Sequence, residues 1–293
     1  MKNLSPLVKA HLAMLTVALI YGANYSIAKV VLDDDYIQPN GFILLRALVG
    51  GLILFVLHRI FVREKIKKED YGRLLLCGIF GAGINMMFFF MGLKATTPIN
   101  ASLIMTMTPI LVLLTSAFLI KEKRTSQKLL GIMLGGVGTV ILTIYGKKIA
   151  YTTAIGDLYI LINALSYGVY IVLVKKLMKK YHPMTVIMWV MCIGFFVVLP
   201  FGGQELLAAD FASFPPKVWY AILYVLIGAT VLTYTLNATA LRTVNPSVVS
   251  IYIYLQPLIA AMISLFLGTE ILTMEKVIAG VLIFVGVFLV SRK

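Results

Sequence analysis

Apolar residues run along this chain in blocks of about 20, separated by short polar joints. Ten such blocks stand at roughly 10–30, 40–62, 71–93, 97–120, 126–145, 154–174, 184–201, 216–241, 246–267 and 274–291. An α-helix rises about 1.5 Å per residue, so ~20 residues cross the ~30 Å hydrocarbon layer of a bilayer. The blocks lack the polar–apolar alternation of transmembrane strands and are too long for them. The pattern therefore predicts an all-α integral membrane protein with ten transmembrane helices. Block 184–201 is the shortest. The stretch 202–215 reads as the longest outer loop, with a short interfacial helix through Leu206, Leu207 and Phe211.

The blocks repeat, which organises everything else. Adding 148 to Leu93, Pro98, Pro109, Ser116, Glu122, Lys128 and Gly138 gives Leu241, Pro246, Pro257, Ser264, Glu270, Lys276 and Gly286. Upstream, adding 146 carries Tyr21-Gly22 and Lys29 onto Tyr167-Gly168 and Lys175. Residues 1–145 form the first repeat, 146–153 a linker and 154–293 the second. Each copy has five blocks. Five is odd, so the second copy enters the membrane upside down, as in carriers built from inverted repeats.

Composition agrees. The chain is 60% hydrophobic and 13% charged, with a mean hydropathy of +0.96. Soluble domains carry about 25% charged residues. The net charge of +14 does not require nucleic acid as a partner, because lysine and arginine collect in cytoplasmic loops. With ten spans both termini share a side, and 19 of the 26 Lys and Arg residues fall there. That side is expected to be cytoplasmic and the protein a multi-pass component of the cell (cytoplasmic) membrane. The first block has no small-residue cleavage pattern and reads as an uncleaved span.

The blocks from Gly92-Leu93-Lys94 through Pro98, Thr108-Pro109, Glu122 and Gly131, and from Ala240-Leu241-Arg242 through Pro246, Gln256-Pro257, Gly268-Thr269-Glu270 and Gly280, resemble the paired EamA repeats of the drug/metabolite transporter superfamily. Tyr21-Gly22-Ala23-Asn24 and Leu45-Arg46-Ala47 add to the likeness, which covers nearly the whole chain. It implies two inverted five-helix repeats around a central substrate cavity and export of amino acids or other small metabolites. Ile120-Lys121-Glu122 departs from the family in lacking a glycine before the glutamate; Gly268 keeps it.

Several residues are candidates for the work. Pro109 and Pro257 fall in the middle of their blocks and cannot donate to the carbonyls of Met105 and Ile253. They predict two bent helices lining a midplane site, with packing kinks as the alternative. Arg46 is the one basic residue clearly inside a block. It either receives a substrate carboxylate, snorkels outward, or pairs with Asp157. Asn24, Asn85, Tyr234 and Gln256 are the preferred polar members of a cavity, able to hydrogen-bond a polar substrate; interhelical bonding is the alternative. Glu122 and Glu270 end their blocks and read as structural braces. Gly131, Gly135, Gly136 and Gly138 make a face for close packing, either within the chain or as the seam of a homodimer. Cys77 and Cys192 read as inert packed thiols. His11, His58 and His182 lack ligand spacing and read as interfacial.

No metal site, phosphate-binding loop or nucleophile–base pair stands out. The expectation is a secondary transporter of a small polar or amphipathic metabolite, without cofactor, rather than an enzyme. The alternative is a membrane-embedded lipid-handling protein or enzyme without a recognisable catalytic motif.

Overall fold

The computed structural model describes residues 5–32, 35–96, 101, 104–121, 125–144, 154–266 and 273–291. Among them the chain forms ten helices: α1 (Pro6–Leu32), α2 (Pro39–Phe61), α3 (Lys68–Ala95), α4 (Thr108–Leu119), α5 (Ser126–Ile144), α6 (Ala154–Met178), α7 (Pro183–Leu207), α8 (Pro216–Thr243), α9 (Pro246–Phe266, interrupted) and α10 (Met274–Ser291). Helices α1, α2, α3, α6, α7 and α8 are long and apolar enough to cross a bilayer by themselves; the others are shorter apolar helices. The expected linker 146–153 and the expected braces Glu122 and Glu270 lie outside the described residues.

The repeats are interleaved rather than side by side. Helix α1 packs on α8 and α9, α6 packs on α3 and α4, α2 pairs with α7, and α5 pairs with α10. Each contact thus joins one repeat to the other, and matched glycines make the matched contacts. A Cβ on Gly22 would stand 3.0 Å from the Gln256 carbonyl of α9, and one on Gly168, its counterpart in the second repeat, 3.6 Å from the Val112 nitrogen of α4. Gly50 of α2 meets Thr230 of α8, while Gly194 of α7 meets Ala82 of α3. Adding 144 to Gly50 gives Gly194, and adding 148 to Ala82 gives Thr230. Helices α2 and α7 also start on matching prolines, Pro39 and Pro183, where a missing N–H costs nothing.

Two lysines repeat with the helices. The Lys29 ammonium donates to the Leu93 carbonyl at 3.3 Å, and Lys175 donates to the carbonyls of Leu241 and Val244. Each puts a cation on the carbonyls that end α3 or α8, where the helix dipole is negative. Two glutamates do the reverse. Glu205 in the last turn of α7 accepts from the Asn40 side chain and the Gly41 amide at 2.8 Å, at the start of α2. Glu64, just past the end of α2, accepts from the His182 amide and the Thr185 hydroxyl at 2.8 Å, at the start of α7. An anion therefore caps the N-terminus of each helix of this antiparallel pair.

These contacts correct the loop expected over 202–215. Helix α7 continues to Leu207, and only a single 3₁₀ turn, Phe211–Ser213, follows. Glu205 and Gly202 hold the extra turns: a Cβ on Gly202 would lie 2.3 Å from the Asn40 carbonyl oxygen. Partners in the other repeat extend the helix through a glycine pair that local pattern treats as a break. The glycine face of α5 is an intramolecular seam. A Cβ on Gly131 would stand 2.8 Å from the Gly286 carbonyl oxygen of α10, and one on Gly286 2.6 Å from that of Gly131. Of the histidines expected at the interface, His58 is instead buried.

Candidate functional site: a cavity between the repeats

Seven helical segments surround an open cavity with about 750 Å³ of empty space, solvent at its mouth included. Its residues come from α1, α2, α3, α6, α8, α9 and Met105 just ahead of α4. Helices α5 and α10 stay behind this ring.

Two local departures from α-helix shape the ring. Helix α3 widens into a π-helical turn at Ile79–Ile84, and α8 does so at Tyr224–Leu232. The offset that relates Pro109 to Pro257 carries the first of these onto positions 227–232, inside the second. A π turn takes carbonyls out of the ordinary ladder, and inside a bilayer such carbonyls need partners. Side chains supply them. The Tyr234 hydroxyl donates to the Gly81 carbonyl at 2.8 Å, Ser166 to Phe80 at 2.6 Å, and Thr230 to Val225 at 2.7 Å. The glycines of α3 make room: a Cβ on Gly81 would lie 2.4 Å from the Tyr170 ring.

The prolines act differently from the expected mid-helix kink. In α9 the α-helix stops at Ile251, a 3₁₀ turn covers Tyr252–Tyr254, and helix resumes at Leu255, so Pro257 lies in the first turn of a new helix. Before α4 the Met107 amide closes a tight turn on the Ile104 carbonyl at 3.0 Å, and Pro109 is likewise in the first turn of α4. Proline is tolerated there because first-turn amides have no intrahelical acceptor. Both helices are thus broken just ahead of proline, at matching positions of the two repeats. Tyr254 fills the notch over Gly135, where a Cβ would stand 2.4 Å from its ring. Tyr252 faces the cavity and its hydroxyl lies 2.7 Å from His11 Nδ1 of α1.

Arg46 is 4% exposed and lines the cavity. It neither snorkels nor pairs with Asp157, whose carboxylate accepts from the Thr96 hydroxyl at 2.7 Å. Its Nε donates to the Thr230 hydroxyl at 2.9 Å and one Nη to the Ala229 carbonyl at 3.3 Å, both on the π turn of α8. The guanidinium carbon stands 4.8 Å over the Phe90 ring, a cation–π contact. Among the described residues no carboxylate pairs with it.

Asn24, Arg46, Asn85, Tyr234 and Gln256, which sequence reading selected from separated stretches, all line this one cavity. The structure adds residues that sequence reading did not prefer. Asn163 and Asn85 exchange side-chain donations to each other's backbone carbonyls at 2.7 and 3.2 Å. Asn24, Asn163 and Asn237 each keep a buried side-chain oxygen that accepts no hydrogen bond from the described residues. Tyr25 donates to the Gln256 oxygen at 3.3 Å, tying α1 to α9. Asn163 and Asn237 stand in the apolar blocks 154–174 and 216–241, and nothing in the local pattern sets their facing.

The family model described as the EamA-like transporter family matches residues 8–144 and again 154–292. The chain is 26% identical to the uncharacterized transporter YyaM of Bacillus subtilis, over 96% of this chain and 93% of that protein. It is 26% identical to an uncharacterized transporter of Archaeoglobus fulgidus, over 97% and 98%. It is 23% identical to the uncharacterized inner membrane transporter YicL of Salmonella typhimurium, over 97% and 95%. A solved crystal structure, 19% identical, superposes with a TM-score of 0.74 over 96% of both chains, a likeness of fold. The chain belongs to the EamA-like transporter family and is a multi-pass membrane protein.

Proposed function

We propose that this EamA-like chain is a secondary transporter, an exporter, of a small polar or amphipathic metabolite such as an amino acid. The observation that carries the reading is the cavity itself. It lies between two inverted repeats, and one broken helix from each repeat contributes to it. Asn24, Arg46, Asn85, Tyr234 and Gln256 bind the substrate. The breaks ahead of Pro109 and Pro257 are the hinges of alternating access, since a half-helix can swing about a turn that lacks the α ladder. Inner-membrane location follows the name of the Salmonella relative, and cytoplasmic termini follow the basic residues on their side. The partners are the substrate and the bilayer.

Counterflow in proteoliposomes, with labelled amino acids and other small metabolites, tests the reading. Accelerated uptake of at least one class into preloaded vesicles is expected. Folded protein that moves none of them would sink it.

A further inference from the structure

The charge of the substrate follows from the lining of the cavity. We infer that it selects a net monoanionic substrate: a carboxylate, held by Arg46, on an apolar body.

A guanidinium carries five N–H donors. Two are used, on Thr230 and Ala229. Three remain, on a side chain 4% exposed that borders the cavity. The two used donors anchor Arg46 to α8, so the rest are presented from a fixed arm. A planar fork of parallel N–H groups matches a carboxylate.

Charge bookkeeping decides among ligands. Arg46 is the only charged side chain among the described lining residues. An unneutralised charge in a low-dielectric interior is costly. A monoanion brings the cavity to zero. A zwitterion leaves it at +1, a cation at +2, and a dianion at −1. The unpartnered side-chain oxygens of Asn24, Asn163 and Asn237 would accept from a neutral hydroxyl or amide donor on the substrate's body, and two other hydrogen bonds fit an anion. The Tyr234 hydroxyl is committed to Gly81, and the Tyr25 hydroxyl takes the Gln256 oxygen, leaving the Gln256 amide nitrogen to donate. Met14, Met86, Phe89 and Ile253 supply the apolar wall for the body.

This rests on the cavity being the substrate site, and the experiment keeps the two apart. Purified protein in detergent is titrated with four probes on a phenylethyl frame: 3-phenylpropionate, 3-phenylpropionamide, phenylalanine and 2-phenylethylamine. Hexanoate, hexanamide, norleucine and pentylamine repeat the series on a straight chain. Affinity is read from thermal shift and tryptophan fluorescence. The expected order is anion, then zwitterion, then amide, with the cation weakest and the anion at least tenfold tighter than its amide. Arg46→Gln should bring the anion down to the amide, and Arg46→Lys should restore part of the difference. Equal binding of anion and amide, binding of the zwitterion or the cation as tight as that of the anion, no binding on either frame, or an anion preference that survives Arg46→Gln would each overturn the proposal. The wild-type ranking decides even where Arg46→Gln does not fold. A correct ranking without counterflow sinks the transport reading and leaves this one; counterflow with a flat ranking does the opposite.

Discussion

The α2–α7 pair and the cavity beside it obey the two-fold relation differently. Along the pair the match is close. Pro39 and Pro183 start the helices, Gly50 and Gly194 touch the π turns of α8 and α3, and Glu205 and Glu64 each cap the opposite helix. At the cavity it fails. The offset that relates Gly50 to Gly194 carries Arg46 onto Val190, fully buried in apolar packing. Thr230, which holds Arg46, has Ala82 as its counterpart in the first repeat, lying under Gly194. Asn237 corresponds in the same way to Phe89, and both line the cavity. Duplication supplied a scaffold twice and a charge once. A symmetric frame can therefore enclose an asymmetric site, and substitutions in the two should separate stability from binding.

The largest effect is expected in the frame. Gly286→Val places methyl groups where a Cβ alone stands 2.6 Å from the Gly131 carbonyl oxygen. Overpacking typically costs about 1–3 kcal/mol and more where backbone must move. Detergent-purified protein should melt far lower or fail to accumulate; an unchanged melting curve would mean α5 and α10 are not held this closely. Next comes the unmatched pair. Arg46→Gln should cost about 1.5–3 kcal/mol in substrate affinity, the range for hydrogen bonds to a charged group, beyond any loss of melting temperature from its bonds to Thr230 and Ala229. Val190→Ala should do the converse, losing about 1–3 kcal/mol of stability while keeping transport. Should both lose stability alone, Arg46 belongs to the frame and the contrast collapses. Smaller still, Glu205→Gln and Glu64→Gln should each cost about 0.5–2 kcal/mol, as helix caps do, and by similar amounts. Unequal melting shifts would show the caps to be less alike than their geometry.

The smallest effect concerns a surface clasp that the repeat does not duplicate. Lys94 reaches Asp35 at 2.5 Å and Gln38 at 2.6 Å. The hydrogen bond and charge of Lys94 hold the Asp35 carboxyl below its ordinary range. A carboxylate with a depressed pKa stabilises above its unfolded value, about 3.9, and that contribution is lost as pH falls through the folded value. Asp35 is exposed and Lys94 partly so, and solvent screening keeps the gain slight. Wild type should melt marginally above Asp35→Asn at pH 6, and the two should converge in acid. A gap that widens in acid would contradict the pairing.

Ten helices, their membrane setting and their doubling were legible because each depends on local composition. Apolar run length decides membrane crossing, and an odd number of spans per copy decides inversion. Lys29 and Lys175 were visible as a matched pair, but their shared task of capping α3 and α8 was not. The extra turns of α7 were missed because their cause, the start of α2, lies far away in sequence. The π turns left only a trace, the closely spaced Gly78, Gly81 and Gly83, and α8 carries the same feature with a single glycine, Gly228.

The site divides the same way. Sequence alone singled out Arg46, since a lone cation in an apolar run is conspicuous, and it marked Asn24, Asn85, Tyr234 and Gln256 as polar members of a cavity. It left three fates open for Arg46. Tertiary structure removed two of them, snorkelling and the pair with Asp157, by burying Arg46 against Thr230 and Ala229 on a helix of the other repeat, and it brought Asn163 and Asn237 to the same cavity. The reason is physical. Transfer to a bilayer is set residue by residue along a helix, whereas the facing of a side chain and its hydrogen-bond partner depend on which helices pack together.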